Sequence, residues 1–147
     1  MTVIDAIGTS LGRGLTPEHM RAVAELANVK EFMGGDTIVR QFDRNSDLAV
    51  VLEGTARVTT FNGDPIAELG PGSIVGEVSL IDEQPRSATV RAVGTTKVAI
   101  IPCGELRNLM TNEPEIDRVL LRNIATILCG KLRLASLHMD GLMATRA

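Results

Sequence analysis

Residues 34–102 alternate short β-branched runs with residues that favour turns. The runs read DTIVRQF, DLAVVL, ARVTTF, PIAEL, SATVRA and KVAII. Many short strands at close spacing predict an antiparallel sandwich or barrel rather than a fold built from βαβ units. The EGT segment at 53–55 and the NGD segment at 62–64 are predicted to form tight hairpin turns between such strands.

Helical patterns flank this β-rich region on both sides. Thr16 is placed to cap a helix that begins at Pro17, and the amphipathic segment predicts a helix over about residues 16–28. After the last strand, CGELRNLM predicts a short helix, and the segment that starts with Glu113 predicts a long one. We therefore expect two C-terminal helices over about residues 103–140.

The long C-terminal helix carries two apolar stripes. Residues at spacings of four and three form a seam of the a and d type, and a second stripe lies beside it. We expect one stripe to pack against the β-rich region and the other to meet a second copy in a symmetric homodimer. The alternative is that the whole apolar face packs on its own domain. The seam consists of Leu121, Ala125, Leu128, Leu132, Ala135, Met139 and Leu142, and the second stripe of Leu120, Ile124, Ile127 and Leu134.

Composition narrows the function classes. The 147 residues fit a single domain, 1–147, and the net charge of −3 gives no general attraction to phosphate backbones. With no Trp or Tyr, base-stacking platforms are not expected either, so we predict no direct nucleic-acid binding. No apolar run reaches the roughly 18 residues of a membrane span. Cys103 and Cys129 are expected to be buried free thiols of a cytoplasmic protein, with a disulfide as the alternative.

The segment GPGSIVGEVSLIDEQPRSATVRA at 70–92 places the acid Glu77 and the base Arg86 in a frame of small residues. Gly76 permits close backbone approach, and the residues after it can start a helical turn whose free N–H groups bind an anion. The planar guanidinium of Arg86 fits a phosphate, and the ionised carboxylate of Glu77 accepts bonds from hydroxyl groups. Together they predict a small ligand with a phosphate and an adjacent hydroxyl, such as a ribose phosphate. The alternative is an ion pair between the two side chains on the surface.

The same segment resembles the phosphate-binding cassette of the cyclic nucleotide-binding domain family. The family pattern has Gly-Glu, three mostly apolar or small residues, a short loop and then Arg-Ser/Thr/Ala-Ala-Thr-Val. This chain has GEVSL at 76–80 and RSATV at 86–90, while GDTI at 35–38 and VLEGTARV at 51–58 resemble the first turn and hairpin of the family. The likeness covers roughly residues 16–138.

The resemblance implies a mainly β fold with flanking helices, built on an eight-stranded antiparallel β-roll of the jelly-roll type over about residues 34–102. It implies that Glu77 holds the ribose 2′-hydroxyl of a 3′,5′-cyclic mononucleotide and that Arg86 neutralises the cyclic phosphate. On the long helix, Ser136 keeps a hydroxyl that would reach the base, whereas Ala135 does not. The implied ligand-binding residues are Val75, Gly76, Glu77, Val78, Ser79, Arg86, Ser87, Ala88 and Ser136.

The implied function is that of a sensor that binds cAMP in preference to cGMP and passes the signal through its C-terminal helix to a dimer partner or an effector protein. One alternative is the sensory half of a transcription regulator that lacks its DNA-binding domain. Another is a dimerisation module with a vestigial pocket or a pocket for a cyclic dinucleotide. No nucleophile and base form a recognisable pair, and His19 and His138 lack companion ligands. We therefore predict no catalysis, no cofactor and no metal site.

Overall fold

The computed structural model describes residues 1–45, 47–60 and 62–146, with side chains up to residue 137. Predictions that involve the side chains of His138, Met139 and Leu142 lie outside the described residues. The chain forms a mainly β fold with flanking helices, as predicted. In chain order the elements are α1 (Val3–Thr9), α2 (Pro17–Ala24), β1 (Asn28–Phe32), β2 (Thr37–Val39), β3 (Leu48–Thr59), β4 (Pro65–Leu69), β5 (Ile74–Val75), α3 (Glu77–Asp82), β6 (Thr89–Ile101), α4 (Cys103–Asn112) and α5 (Pro114–Arg146).

The strands form one antiparallel sheet in the order β1-β6-β3-β4, with β2 paired to β6 and β5 paired to β3. Within the described residues this makes six strands, so the predicted number of eight is too high. The reason is that β3 and β6 run without interruption for 12 and 13 residues, where the sequence pattern indicated separate short strands.

A bulge, rather than a hairpin turn, occupies residues 53–55. The pairing of β3 with β6 shifts register here, and Gly54 adopts a φ of +86°. A Cβ on Gly54 would lie 2.5 Å from the carbonyl oxygen of Thr95, so the two long strands approach too closely for any side chain. The predicted turn at 53–55 is therefore wrong. The predicted turn at 62–64 is confirmed, because it connects the antiparallel strands β3 and β4.

The two faces of the sheet bury different sets of side chains. Along β3, Leu48 and Val50 face a cluster that includes residues of all the longer helices, whereas Ala49 and Val51 face the inside of the β-roll. All four are at most 2% exposed. Alternation along a strand produces this division, because successive side chains point to opposite faces. The segment 76–90 lies where these two cores meet, since Leu80 joins the helical cluster and Val90 the inner one.

The N-terminal helices differ in part from the prediction. The helix α1 was not predicted, and its cap is Thr2. The predicted cap of α2 is confirmed, since the hydroxyl of Thr16 accepts a hydrogen bond from a first-turn N–H at 3.2 Å. The helix α2 ends at Ala24 rather than near residue 28, because Asn28 already pairs with Ile100 in the sheet. The β-rich region thus begins before residue 34.

The helices α4 and α5 follow the last strand, and α5 carries the two predicted stripes. In the second stripe, Leu120 and Ile124 are at most 1% exposed, whereas the seam residues Leu121 and Leu132 are 40% and 69% exposed. One stripe therefore packs on the domain, as expected, over the first half of α5. Leu134 departs from this pattern at 69% exposure, because every residue from 129 to 137 is exposed where α5 leaves the domain.

The two cysteines are both free, but they differ in environment. Cys103 is buried at the start of α4, as predicted, whereas Cys129 is exposed. The prediction of a buried thiol is wrong for Cys129, because this residue lies on the part of α5 that leaves the domain. No helix in the described part of the chain combines the length and the apolar character needed to cross a bilayer.

Candidate ligand-binding site

Gly76 brings the backbone close to the guanidinium of Arg86. It lies between β5 and α3 with a φ of +92°, a conformation that favours glycine. A Cβ at this position would collide with Nη1 of Arg86 and would lie 2.9 Å from the carbonyl oxygen of Asp47. The missing side chain is therefore what allows β5, the turn and Arg86 to pack together.

Glu77 is the first residue of α3, and its side chain is almost fully buried. The residue is 2% exposed, and its carboxylate forms an ion pair with Nζ of Lys131 on α5. The same Nζ lies 3.4 Å from the carbonyl oxygen of Ile74. Because the side chain of Lys131 is 43% exposed, it reaches the carboxylate from the solvent side. Burial without this partner would be costly for an ionised carboxylate.

Arg86 is also buried, at 6% exposure, and is held by the loop before β3. Its Nη2 donates to the carbonyl oxygen of Asp47, and its backbone N–H donates to the carbonyl oxygen of Asp43 at 2.8 Å. Among the described residues, Nη1 has no hydrogen-bond partner. Burial lowers the pKa of the Arg86 guanidinium, while the charges of Asp47, Asp43 and Glu77 act in the opposite direction. A guanidinium stays protonated in proteins, so a charged donor that has no partner in the described part of the chain lies beside Gly76.

These environments rule out a surface ion pair between Glu77 and Arg86. Both side chains are buried, and each has its main partner elsewhere in the chain. Nevertheless, the guanidinium of Arg86 packs against Gly76, and Glu77 directly follows Gly76 in the chain. An acid and a base nine positions apart in the sequence are therefore both buried beside the turn at Gly76.

Two residues that organise this site were not predicted from the sequence. Asp47 holds Arg86 with its carbonyl oxygen, and its carboxylate accepts a bond from the N–H of Cys103 at 3.2 Å, at the first turn of α4. Lys131 lies 54 residues beyond Glu77 in the chain. The position of Asp47 directly before a strand was the only sequence signal, and nothing local distinguishes Lys131 from other lysines on a helix.

Two hollows adjoin the site. A cavity of about 400 Å³ is lined by Arg86, Asp43 and Asp47 together with residues of β1 and β2. A shallower groove of about 260 Å³ lies between the end of α1, the turn at 70–73 and α5, and Lys131 lines it. The volume of the larger cavity falls in the range typical of small-molecule sites.

The remaining predicted site residues have varied surroundings. Val75 and Ser79 are buried, Ala88 is half-buried, and Val78 and Ser87 are exposed. Ser136 is exposed on α5, five positions beyond Lys131. The structure thus brings together Gly76, Glu77 and Arg86. No group of three or more metal-ligating side chains occurs among the described residues.

Comparisons with known proteins point to one family. Residues 29–113 match the sequence profile of the cyclic nucleotide-binding domain. The chain is 34% identical over 114 residues to a cAMP-dependent protein kinase regulatory subunit of Dictyostelium discoideum, covering 71% of this chain and 33% of that protein. It is 35% identical over 112 residues to a cGMP-dependent protein kinase of Plasmodium berghei, covering 76% of this chain and 13% of that protein. The crystal structure of the catabolite activator protein of Thermus thermophilus is similar with a TM-score of 0.74 and 31% identity, covering 90% of this chain and 62% of that one.

Proposed function

Because this chain belongs to the cyclic nucleotide-binding domain family, we propose that it is a regulatory sensor for a 3′,5′-cyclic mononucleotide. The ligand phosphate would bind Arg86 and the N–H groups at the start of α3, and the ribose hydroxyl would bind Glu77. The sensor would act through binding rather than catalysis. The chain spans 33%, 13% and 62% of the length of these three relatives.

The observation that carries this proposal is the buried guanidinium of Arg86 with a donor that has no partner among the described residues. A buried charged donor that lacks an acceptor destabilises a protein more than a neutral donor does, because its desolvation penalty is larger. A phosphate oxygen beside Gly76 would satisfy Nη1 and would also accept from backbone N–H groups at the helix start. A cyclic phosphate offers such oxygens next to a ribose hydroxyl, and the neighbouring carboxylate of Glu77 can accept from that hydroxyl.

Isothermal titration with cAMP and cGMP tests the proposal. We expect Arg86→Ala to weaken binding by about 2–4 kcal/mol, roughly 30- to 900-fold in Kd, because the phosphate loses its charge-assisted bonds. Arg91→Ala is the matched control, since this arginine is exposed on the neighbouring strand and should leave the affinity unchanged. If wild-type protein and Arg86→Ala bound equally well, the assignment of Arg86 to the phosphate would be wrong.

The preference for cAMP over cGMP remains a prediction. One of the compared relatives is named for cAMP and another for cGMP, so similarity does not favour either base. Thermal shift measurements with both ligands and with cyclic dinucleotides would rank them. Stabilisation by a cyclic dinucleotide alone would support a pocket for that ligand. Stabilisation by none of the ligands would support a vestigial pocket.

Transmission of the signal through α5 is the second part of the proposal. The contact between Lys131 and Glu77 joins α5 directly to the carboxylate that the ribose would use. A ribose hydroxyl bound to Glu77 would therefore change the contacts of Lys131. A ligand shifts α5 only if its affinity differs between the two positions of this helix. Hydrogen exchange along α5 should respond to the ligand in the wild type and in Arg133→Ala, but not in Lys131→Ala. An unchanged response in Lys131→Ala would contradict this route.

The partner of α5 is proposed to be a second copy of the chain. Leu132, Leu134 and Leu137 are each at least 67% exposed, and the seam continues at spacings of four and three. Sedimentation equilibrium of the wild type and of Leu132→Glu tests this, with Arg133→Glu as the matched control. A monomeric wild type would refute the homodimer and would favour an effector protein on this face.

A further inference from the structure

The short helix α3 is held at its C-terminal end by a side chain of α4. Nη2 of Arg107 donates to the carbonyl oxygens of Leu80 and Ser79 at 3.1 and 3.3 Å. Nη1 of the same guanidinium lies 3.1 Å from a carboxylate oxygen of Glu83. The last carbonyl groups of a helix lack partners within it. A positive charge near this end also interacts favourably with the helix dipole. Arg107 thus caps α3 from a different helix.

The geometry of α3 depends on such outside contacts. The helix has only six residues, too few to be stable by itself, and Gly76 provides no side-chain cap at its start. Leu80 anchors one face in the helical core at 5% exposure. The position of Glu77 and of the N–H groups beside Arg86 is therefore set by what holds the two ends of α3.

We infer that Arg107 is a positioning residue for the ligand site, an inference that rests on the function proposed above. Arg107 acts through α3, because its contacts at residues 79, 80 and 83 fix the helix whose first residue is Glu77. Lys131 of α5 holds the opposite end of α3 through Glu77. Each end of α3 is consequently tied to a different C-terminal helix. A ligand that alters the Lys131 contact leaves α3 attached to α4 by Arg107.

Three variants separate the contacts of Arg107. In Arg107→Ala both the carbonyl bonds and the ion pair are lost, and we expect cyclic-nucleotide binding to weaken about tenfold or more. In Arg107→Lys a single ammonium replaces the planar fork, and we expect a loss of about threefold. In Glu83→Gln only the exposed ion pair is lost, and the affinity should stay within about twofold. Arg118→Ala, which removes an exposed ion pair on α5, is the control for loss of an arginine elsewhere.

Hydrogen exchange of the Leu80 and Glu83 amides provides a readout that does not need ligand, because both amides donate within the α3 segment. Faster exchange in Arg107→Ala than in Arg118→Ala, with weaker binding, is the expected result. Binding within twofold of wild type in both Arg107 variants, or unchanged exchange, would overturn the inference. If Arg107→Ala does not fold, Arg107→Lys and Glu83→Gln still decide. If the wild type binds none of the cyclic nucleotides, the proposed function fails, while the exchange rates still test whether Arg107 holds α3.

Discussion

Substitution of Gly76 by alanine should affect both stability and ligand binding. An L-residue at a φ of +92° costs about 1–2 kcal/mol. The new Cβ would also displace the guanidinium of Arg86, which would lose its bond to the carbonyl oxygen of Asp47. A hydrogen bond from a charged group contributes about 1.5–3 kcal/mol. The free energy of unfolding should therefore fall by about 2.5–5 kcal/mol in Gly76→Ala.

Gly35→Ala is a matched control for the backbone cost. Gly35 has a φ of +91°, and no atom of the described residues lies within 4 Å of the Cβ that alanine would add. Replacing glycine by alanine lowers the conformational entropy of the unfolded chain equally in both variants. This effect therefore cancels when their free energies of unfolding are compared. Gly35→Ala should consequently lose only about 1–2 kcal/mol, the conformational part of the effect.

Urea unfolding of both variants separates the cost of the backbone conformation from the cost of displacing Arg86. Titration with cyclic nucleotide shows whether Arg86 has moved. We expect Gly76→Ala to be the less stable variant by about 1.5–3 kcal/mol and to bind ligand far more weakly than Gly35→Ala. Equal destabilisation of the two variants would refute the reasoning, because the close approach of Gly76 to Arg86 would then contribute nothing to the free energy of unfolding.

Three further substitutions test other contacts. Thr16→Ala removes the cap of α2 and should cost about 1 kcal/mol by urea unfolding, whereas Thr16→Ser should retain stability. Asn123→Ala removes two bonds from α5 to carbonyl oxygens in the loop after α1, at 2.7 and 2.9 Å, and should cost about 1–2 kcal/mol in the same assay. The hydrogen bond and the positive charge of Arg118 lower the pKa of Glu115. This pair therefore stabilises the fold at a pH above the ordinary pKa of 4.5, and the stabilisation is lost as the pH falls through the lowered pKa. The Tm difference between wild type and Glu115→Gln should therefore shrink towards acid pH, and a difference that grows would contradict this sign.

Local sequence patterns predicted much of the architecture. Thr16 followed by Pro17 predicted the start of α2, and NGD at 62–64 predicted the turn between β3 and β4. The same reasoning placed a turn at 53–55, where the structure has a bulge. Glycine between apolar runs is compatible with either geometry, and only the pairing of β3 with β6 decides between them. The end of α2 was likewise set by strand pairing at Asn28 rather than by helix propensity.

By itself, the sequence predicted which residues would bind a phosphate and a hydroxyl, because Gly76, Glu77 and Arg86 lie within one short segment. Tertiary structure alone decided what holds them. Asp47 is 39 positions from Arg86, Lys131 is 54 from Glu77, and Arg107 is 27 from Leu80. Local patterns report the conformation of neighbouring residues, whereas these partners meet only after the strands have paired and α4 and α5 have packed on the sheet. The chemistry of the site is therefore local in the chain, and its burial and support are not.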